Sequence, residues 1–210
     1  MTNKEKEKQF YNFIKSNSKK WSWKFKSYFI FKTVSNFFYE TNFYFDPKNN
    51  RLWGWLAFKP YSTDNLFWEI TNMKENQKQP LSFRADAAFK ITSYNFFDFD
   101  ITLKDFDDLE KEIIKLLSEI EKKIIDNTEN INSIEKFLEL SKIENQNNSV
   151  AILTTLIELE RYDEAKKYIE FCRSNSISSG FGFGKKDYYD VAEDFIKKKT
   201  KRPFWKFFNN

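Results

Sequence analysis

Apolar and polar positions alternate through most of the first hundred residues. Trp21, Trp23 and Phe25 are separated by Ser22 and Lys24, and the pattern runs on through Phe29 and Phe31, the two-residue period of a strand with one buried face. Phe37, Tyr39, Thr41, Phe43 and Phe45 repeat that period, with Phe38, Glu40, Asn42 and Tyr44 on the other side. Asp46-Pro47-Lys48-Asn49-Asn50 supplies turn chemistry, because proline presets its backbone and asparagine tolerates left-handed geometry. Residues 52–59 therefore return as the second arm of a hairpin, which Pro60 ends. A short helix capped by Thr63 or Asp64 is predicted to reach Met73, and Leu81, Phe83, Ala85, Ala87, Phe89 and Ile91 then alternate again before a further extended stretch over 94–101. A helix over 2–15, with Phe10, Phe13 and Ile14 on one side, precedes all of this. Short local connections between four or five strands imply an antiparallel meander.

From residue 102 the period lengthens. Phe106, Leu109, Ile113, Leu116, Leu117, Ile120 and Ile124 fall three and four apart, the stripe of an amphipathic helix. Further helices are predicted over 133–143 and on either side of a break at Glu160-Arg161-Tyr162, where two apolar stripes imply an antiparallel helical hairpin, with a last helix over 185–199. The fold class is α+β: an antiparallel β-meander of four or five strands, preceded by one helix and followed by a helical C-terminal half. Residues 1–126 are expected to form an α+β domain with an aromatic sheet and a covering helix, and 127–210 a helical extension packed on it, unless the two are one continuous domain.

Composition sharpens this picture. The 210 residues include 25 Phe, 10 Tyr and 6 Trp but only 4 Gly and 4 Pro. Rings of that number suit half-buried sheet surfaces. The chain has no His, which removes the usual general base near neutral pH and the commonest metal ligand. With a single Cys, no apolar run long enough to span a bilayer and no leader-like start, a cytoplasmic location is expected. Charge is uneven: residues 1–60 carry a net +8, residues 103–173 a net −6, and the last 37 a net +4. An acidic helical stretch between basic ends can steer a partner of opposite sign.

Candidate chemistry is sparse. Ser178-Ser179-Gly180-Phe181-Gly182-Phe183-Gly184-Lys185-Lys186 lacks the first glycine and the final hydroxyl of a phosphate-binding loop, and reads as a hinge or helix-start loop with its phenylalanines turned inward. Asp98 and Asp100 lie on one side of an extended segment, where a metal-dependent hydrolase would put paired acids; no lysine and supporting acid follow in order, so they read as loop and helix-start acids. Arg84 and Asp86 share a side of the expected strand over 81–91 and could pair with each other. Basic residues mix with rings in 21–32 and in 197–208, as in binders of single-stranded nucleic acid or of an anionic surface. No catalytic, cofactor-binding or metal residue is assigned, and the chain is read as no enzyme.

Four segments carry a resemblance: FYFDPKNNRLWGWLAFKP (43–60), NLFWEI (65–70), PLSFRADAAF (80–89) and LIELERYDEAKKYIE (156–170). In their order they resemble the small bacterial immunity proteins of polymorphic-toxin and contact-dependent growth inhibition systems, and the last is also similar to a tetratricopeptide helical hairpin. The resemblance implies a cytoplasmic protein that neutralises a cognate toxin domain by association, without cofactor, small-molecule substrate or membrane span. A basic toxin would meet exposed acids of the helical half, for which Asp105, Asp108, Glu112, Glu158 and Glu160 are the candidates. A module binding single-stranded nucleic acid or an anionic surface through the basic aromatic ends is the alternative.

Overall fold

A computed structural model describes residues 1–144 and 148–201. It is α+β: one helix, a five-stranded antiparallel sheet, then a helical C-terminal half. The residues divide into two compact units, Met1–Tyr61 with Leu81–Asp86 and Ser93–Ser133, and Ser62–Pro80 with Ala87–Thr92 and the described part of Ile134–Asn210. Residues 126 and 127 lie within one helix, Leu109–Asn130, and the helix Tyr61–Ile70 belongs from Ser62 onward to the second unit.

The first unit opens with α1 (Asn3–Ser18), whose start is closed by a capping box between Thr2 and Glu5. The sheet follows in chain order as β1 (Lys24–Lys26), β2 (Phe29–Val34), β3 (Phe37–Asp46), β4 (Arg51–Pro60) and β5 (Tyr94–Thr102), each antiparallel to the next. The single strand expected across 21–31 is a hairpin instead, because Ser27 takes a left-handed backbone (φ 57°) and turns the chain. The β3–β4 turn forms where its sequence placed it: Asp46 Oδ1 accepts the amides of Lys48 (2.9 Å) and Asn49 (3.3 Å), and Asn50 is left-handed (φ 48°). That turn fixes the register Asp46↔Arg51 through Phe37↔Pro60.

Alternation then sorts the two faces. Tyr39, Phe43 and Phe45 point toward the helices, with the Phe45 ring 5.1 Å from Phe10 of α1 and 5.9 Å from Phe106. The long helix α4 (Leu109–Asn130) buries Leu109, Ile113, Leu116, Leu117, Ile120 and Ile124, the stripe read from spacing. Its Asn127 donates to the Tyr39 hydroxyl at 3.0 Å. Glu121 of α4 accepts Lys32 Nζ at 2.6 and 2.7 Å and the Trp23 indole at 2.5 Å, and the Lys32 ammonium lies 4.7 Å from the Trp23 ring. Gly54 is required on this face: a Cβ there would stand 2.0 Å from the Asn42 carbonyl oxygen and 2.5 Å from Phe99 Cζ.

Residues 81–91 are not the strand their alternation suggested. Both neighbours of β4 are already taken, by β3 and β5, so the segment has no place beside it. Phe83–Asp86 form instead a single helical turn, α3, that sets Ala85 and Leu81 against Phe29, Phe31 and Phe38 of the outer face. Arg84 and Asp86, which as strand neighbours could have paired or faced a partner, are accordingly engaged elsewhere. The buried Arg84 donates to the Tyr61 carbonyl (3.0 Å) with its guanidinium 3.8 Å from the Tyr61 ring, while Asp86 pairs with Lys26 at 2.8 Å.

The second unit contains α2 (Tyr61–Ile70) from Ser62 onward, α5 (Ile134–Glu144), α6 (Ser149–Glu158), α7 (Tyr162–Ser174) and α8 (Tyr188–Thr200). The Phe67 ring stacks on Tyr188 at 5.2 Å and meets Phe181 at 5.1 Å. The glycine-rich segment is a two-residue hairpin, β6 (Gly182–Phe183) and β7 (Lys186–Asp187), turned at Gly184 (φ 68°). Asp187 then caps α8, which is why that helix starts later than residue 185. Helix ends are closed by left-handed residues other than glycine: Asn72, Glu160 and Ser176 have φ of 60°, 56° and 54°. At Glu160 the paired bonds Arg161 N to Leu156 O and Glu160 N to Ile157 O, both 3.0 Å, complete the C-terminal motif that glycine usually serves.

Candidate protein-docking surface

The outer face of the sheet is closed at one end and open at the other. At the closed end Phe38, Glu40 and Lys59 are buried; Lys59 donates to the Arg84 carbonyl at 2.9 Å and Glu40 accepts the Ser93 hydroxyl at 2.6 Å. At the open end the β3–β4–β5 register aligns Tyr44, Trp53 and Asp100 in one cross-strand row and Asn42, Trp55 and Asp98 in the next. Tyr28 from the β1–β2 turn, Tyr44 and Trp53 are exposed by 41, 38 and 36%, which sets them apart from a core otherwise rich in rings. Tyr28 lies 6.1 Å from Tyr44, and Tyr44 stacks on Trp53 at 5.7 Å with 21° between the planes.

Arg51 extends this row. Its guanidinium lies 5.5 Å from the Trp53 ring and holds both oxygens of Asp100. The arginine hydrogen bonds keep the Asp100 carboxyl below its ordinary pKa and raise that of Arg51. Asp98 and Asp100 do share a face, as their spacing required, but Asp100 is held by Arg51 and Asp98 accepts the Asn95 amide at 2.8 Å. Tyr, Trp and Arg are the side chains over-represented at the energetic centres of protein interfaces, since they offer large rigid contact area and few rotors to immobilise.

The five acids named from charge fall in both units. In the first, Asp105 is exposed just before α4, Asp108 is half-buried at its start, and the half-buried Glu112 pairs with Lys115 at 3.5 Å. In the second, Glu158 and Glu160 border a cleft of about 280 Å³ together with Ser62, Glu69, Tyr162 and Lys199. Burial raises the Glu158 carboxyl above its usual pKa, offset in part by the Ser62 hydroxyl, and its Oε2 is buried without a hydrogen-bond partner. A larger cleft of about 460 Å³ opens at the start of α6, lined among others by Ser149, Asn175, Ser176, Ser178, Ser179 and Phe181.

Of the two basic aromatic segments, β1 reaches only from Lys24 to Lys26; Trp23 is buried against α4, and Lys24 lies on the opposite face from Phe25. The second segment beyond residue 201, Arg202 to Asn210, lies outside the described residues. Among the described residues, no three His, Cys, Asp or Glu side chains group closely enough to hold a metal ion, and no helix is long and apolar enough to cross a membrane.

The missed element is the aromatic row. Its signal was present: with the register pinned by the 46–50 turn, the alternation alone puts Tyr44, Trp53 and Trp55 on one face. Comparison with known families, with curated proteins and with solved structures finds no match to this chain.

Proposed function

We propose that the chain is a binding protein acting by protein–protein association, in the manner of a cytoplasmic immunity protein that neutralises a cognate bacterial toxin domain. In this reading it transforms no substrate and requires no cofactor. The observation that carries the binding reading is the exposed row Tyr28–Tyr44–Trp53 with Arg51 laid over its end. Leaving these three large rings more than a third exposed forgoes about 2 kcal/mol of burial for each, a cost consistent with a surface that a partner covers. The narrower toxin-neutralising role draws on the feature order of the sequence, and the acids Asp105, Asp108, Glu112, Glu158 and Glu160 form a second candidate contact set for a basic partner.

The test is co-expression with the toxin-type domain encoded next to this gene, followed by co-purification. Rescue of growth and a stable complex are expected, with Tyr44→Ala and Trp53→Ala each weakening association at least tenfold. Cell death with no complex would overturn the toxin-neutralising role. A complex insensitive to both alanines but weakened by Asp105→Asn with Glu112→Gln would move the contact to the helical acids. Retention of a single-stranded oligonucleotide with steep salt dependence would favour the nucleic-acid alternative.

A further inference from the structure

Two adjacent rows of the open sheet face carry the same pair of side chains, and only one of them is filled. In the row Tyr44–Trp53–Asp100, the cation comes from the chain itself: Arg51, two residues before Trp53 on β4, lies over the indole and closes on both carboxylate oxygens. The neighbouring row Asn42–Trp55–Asp98 repeats the tryptophan and the carboxylate in the same register. The residue two before Trp55, however, is Trp53, which brings no charge.

Nothing else among the described residues supplies one. Asp98 is exposed and bonds only to the Asn95 amide at 2.8 Å, and the half-buried Trp55 has no ring or cation against it. On the other side of Trp55, Asn42 is 7% exposed and its Oδ1 has no donor. The row therefore offers a π face beside a carboxylate, both attractive to a cation and short of one.

Resting on the protein-binding reading above, we infer that Trp55 and Asp98 receive an arginine side chain projected by the partner protein, its guanidinium over the indole and forked onto the Asp98 carboxylate as Arg51 is onto Asp100. Arginine fits better than lysine, because the planar guanidinium can stack and form two parallel hydrogen bonds at once, whereas an ammonium is a strongly hydrated point charge. A polyanionic partner is disfavoured at this spot, since Asp98 has no cation of its own to neutralise it.

N-acetyl-arginine amide titrated into the full chain tests the site directly, read by the Trp55 indole N–H resonance and assigned by its loss in Trp55→Phe. A saturable shift at Trp55 is expected, absent with the neutral isostere N-acetyl-citrulline amide and at least tenfold weaker in Asp98→Asn. Equal shifts with citrulline, persistence in Asp98→Asn, or no shift at tens of millimolar arginine amide would overturn the inference. With the toxin-type domain as ligand, Asp98→Asn should weaken binding about tenfold. Binding that is strong yet indifferent to Asp98→Asn would refute the arginine site alone. An arginine-amide shift without any toxin complex would leave the site standing and refute the toxin-neutralising role.

Discussion

Removing Lys32 should expose the energetic structure of the sheet–helix joint. Its ammonium meets both oxygens of Glu121, with side chains 12 and 19% exposed, and Glu121 also accepts the Trp23 indole. Breaking a buried ion pair from one side strands the other charge, at about 3–5 kcal/mol. Residual exposure places Lys32→Met near the low end, about 3 kcal/mol. Glu121→Leu should cost less, about 2 kcal/mol, because the ammonium keeps the Trp21 carbonyl at 3.4 Å and the Trp23 ring at 4.7 Å. The double variant replaces the pair with two apolar side chains of similar size, which is often close to neutral apart from the indole N–H left without its acceptor. Its loss should be no more than about 2 kcal/mol, giving a coupling of about 3 kcal/mol. Urea titrations of the four proteins measure the cycle. A double variant as unstable as the sum of the single ones, about 5 kcal/mol, would refute the account, since stranded charge rather than lost packing is its cause.

Other consequences are as direct. Gly54→Ala drives a methyl into the Asn42 carbonyl and the Phe99 ring and should cost about 3 kcal/mol by urea denaturation, whereas alanine at Gly182, where a Cβ meets open space, should cost under about 1 kcal/mol. Glu160→Gly relieves a left-handed backbone at the end of α6 and should stabilise by about 1 kcal/mol, visible as a higher urea midpoint. Glu158 binds its proton more tightly folded than unfolded, so its contribution is greatest in acid and is lost as pH rises through the raised folded pKa. Glu158→Gln should therefore raise the melting temperature at pH 7 and leave it nearly unchanged at pH 4; equal gains at both would show that burial of the charge is not the cause.

What could be read from residues alone follows the range of the forces involved. The α4 stripe and the 46–50 turn depend on near neighbours, and both formed as read. The break near Glu160 was legible too, though not that a glutamate rather than a glycine would take the left-handed position; with 4 glycines in the chain, most such positions fall to other residues. Residues 81–91 misled because alternation specifies two faces and not a vacant sheet edge. For the same reason the pattern placed Phe38 and Tyr44 on a common face but could not say that α3 would cover one and leave the other in water. Net charge is summed along the chain and so is visible in the sequence, whereas the row Tyr28–Tyr44–Trp53 is assembled across strands.

The chain passes between the two units five times, at residues 61/62, 80/81, 86/87, 92/93 and 133/134. During synthesis the sheet and α4 can therefore close while Phe67 still awaits Tyr188, which is made roughly 55 residues after the first unit ends at Ser133. At about 5–20 residues per second that interval is roughly three to ten seconds. For its duration a nascent polypeptide whose first unit is finished displays a bare phenylalanine in its second, a natural client for holdase chaperones and a reason why excising either unit with a single cut would yield an insoluble fragment.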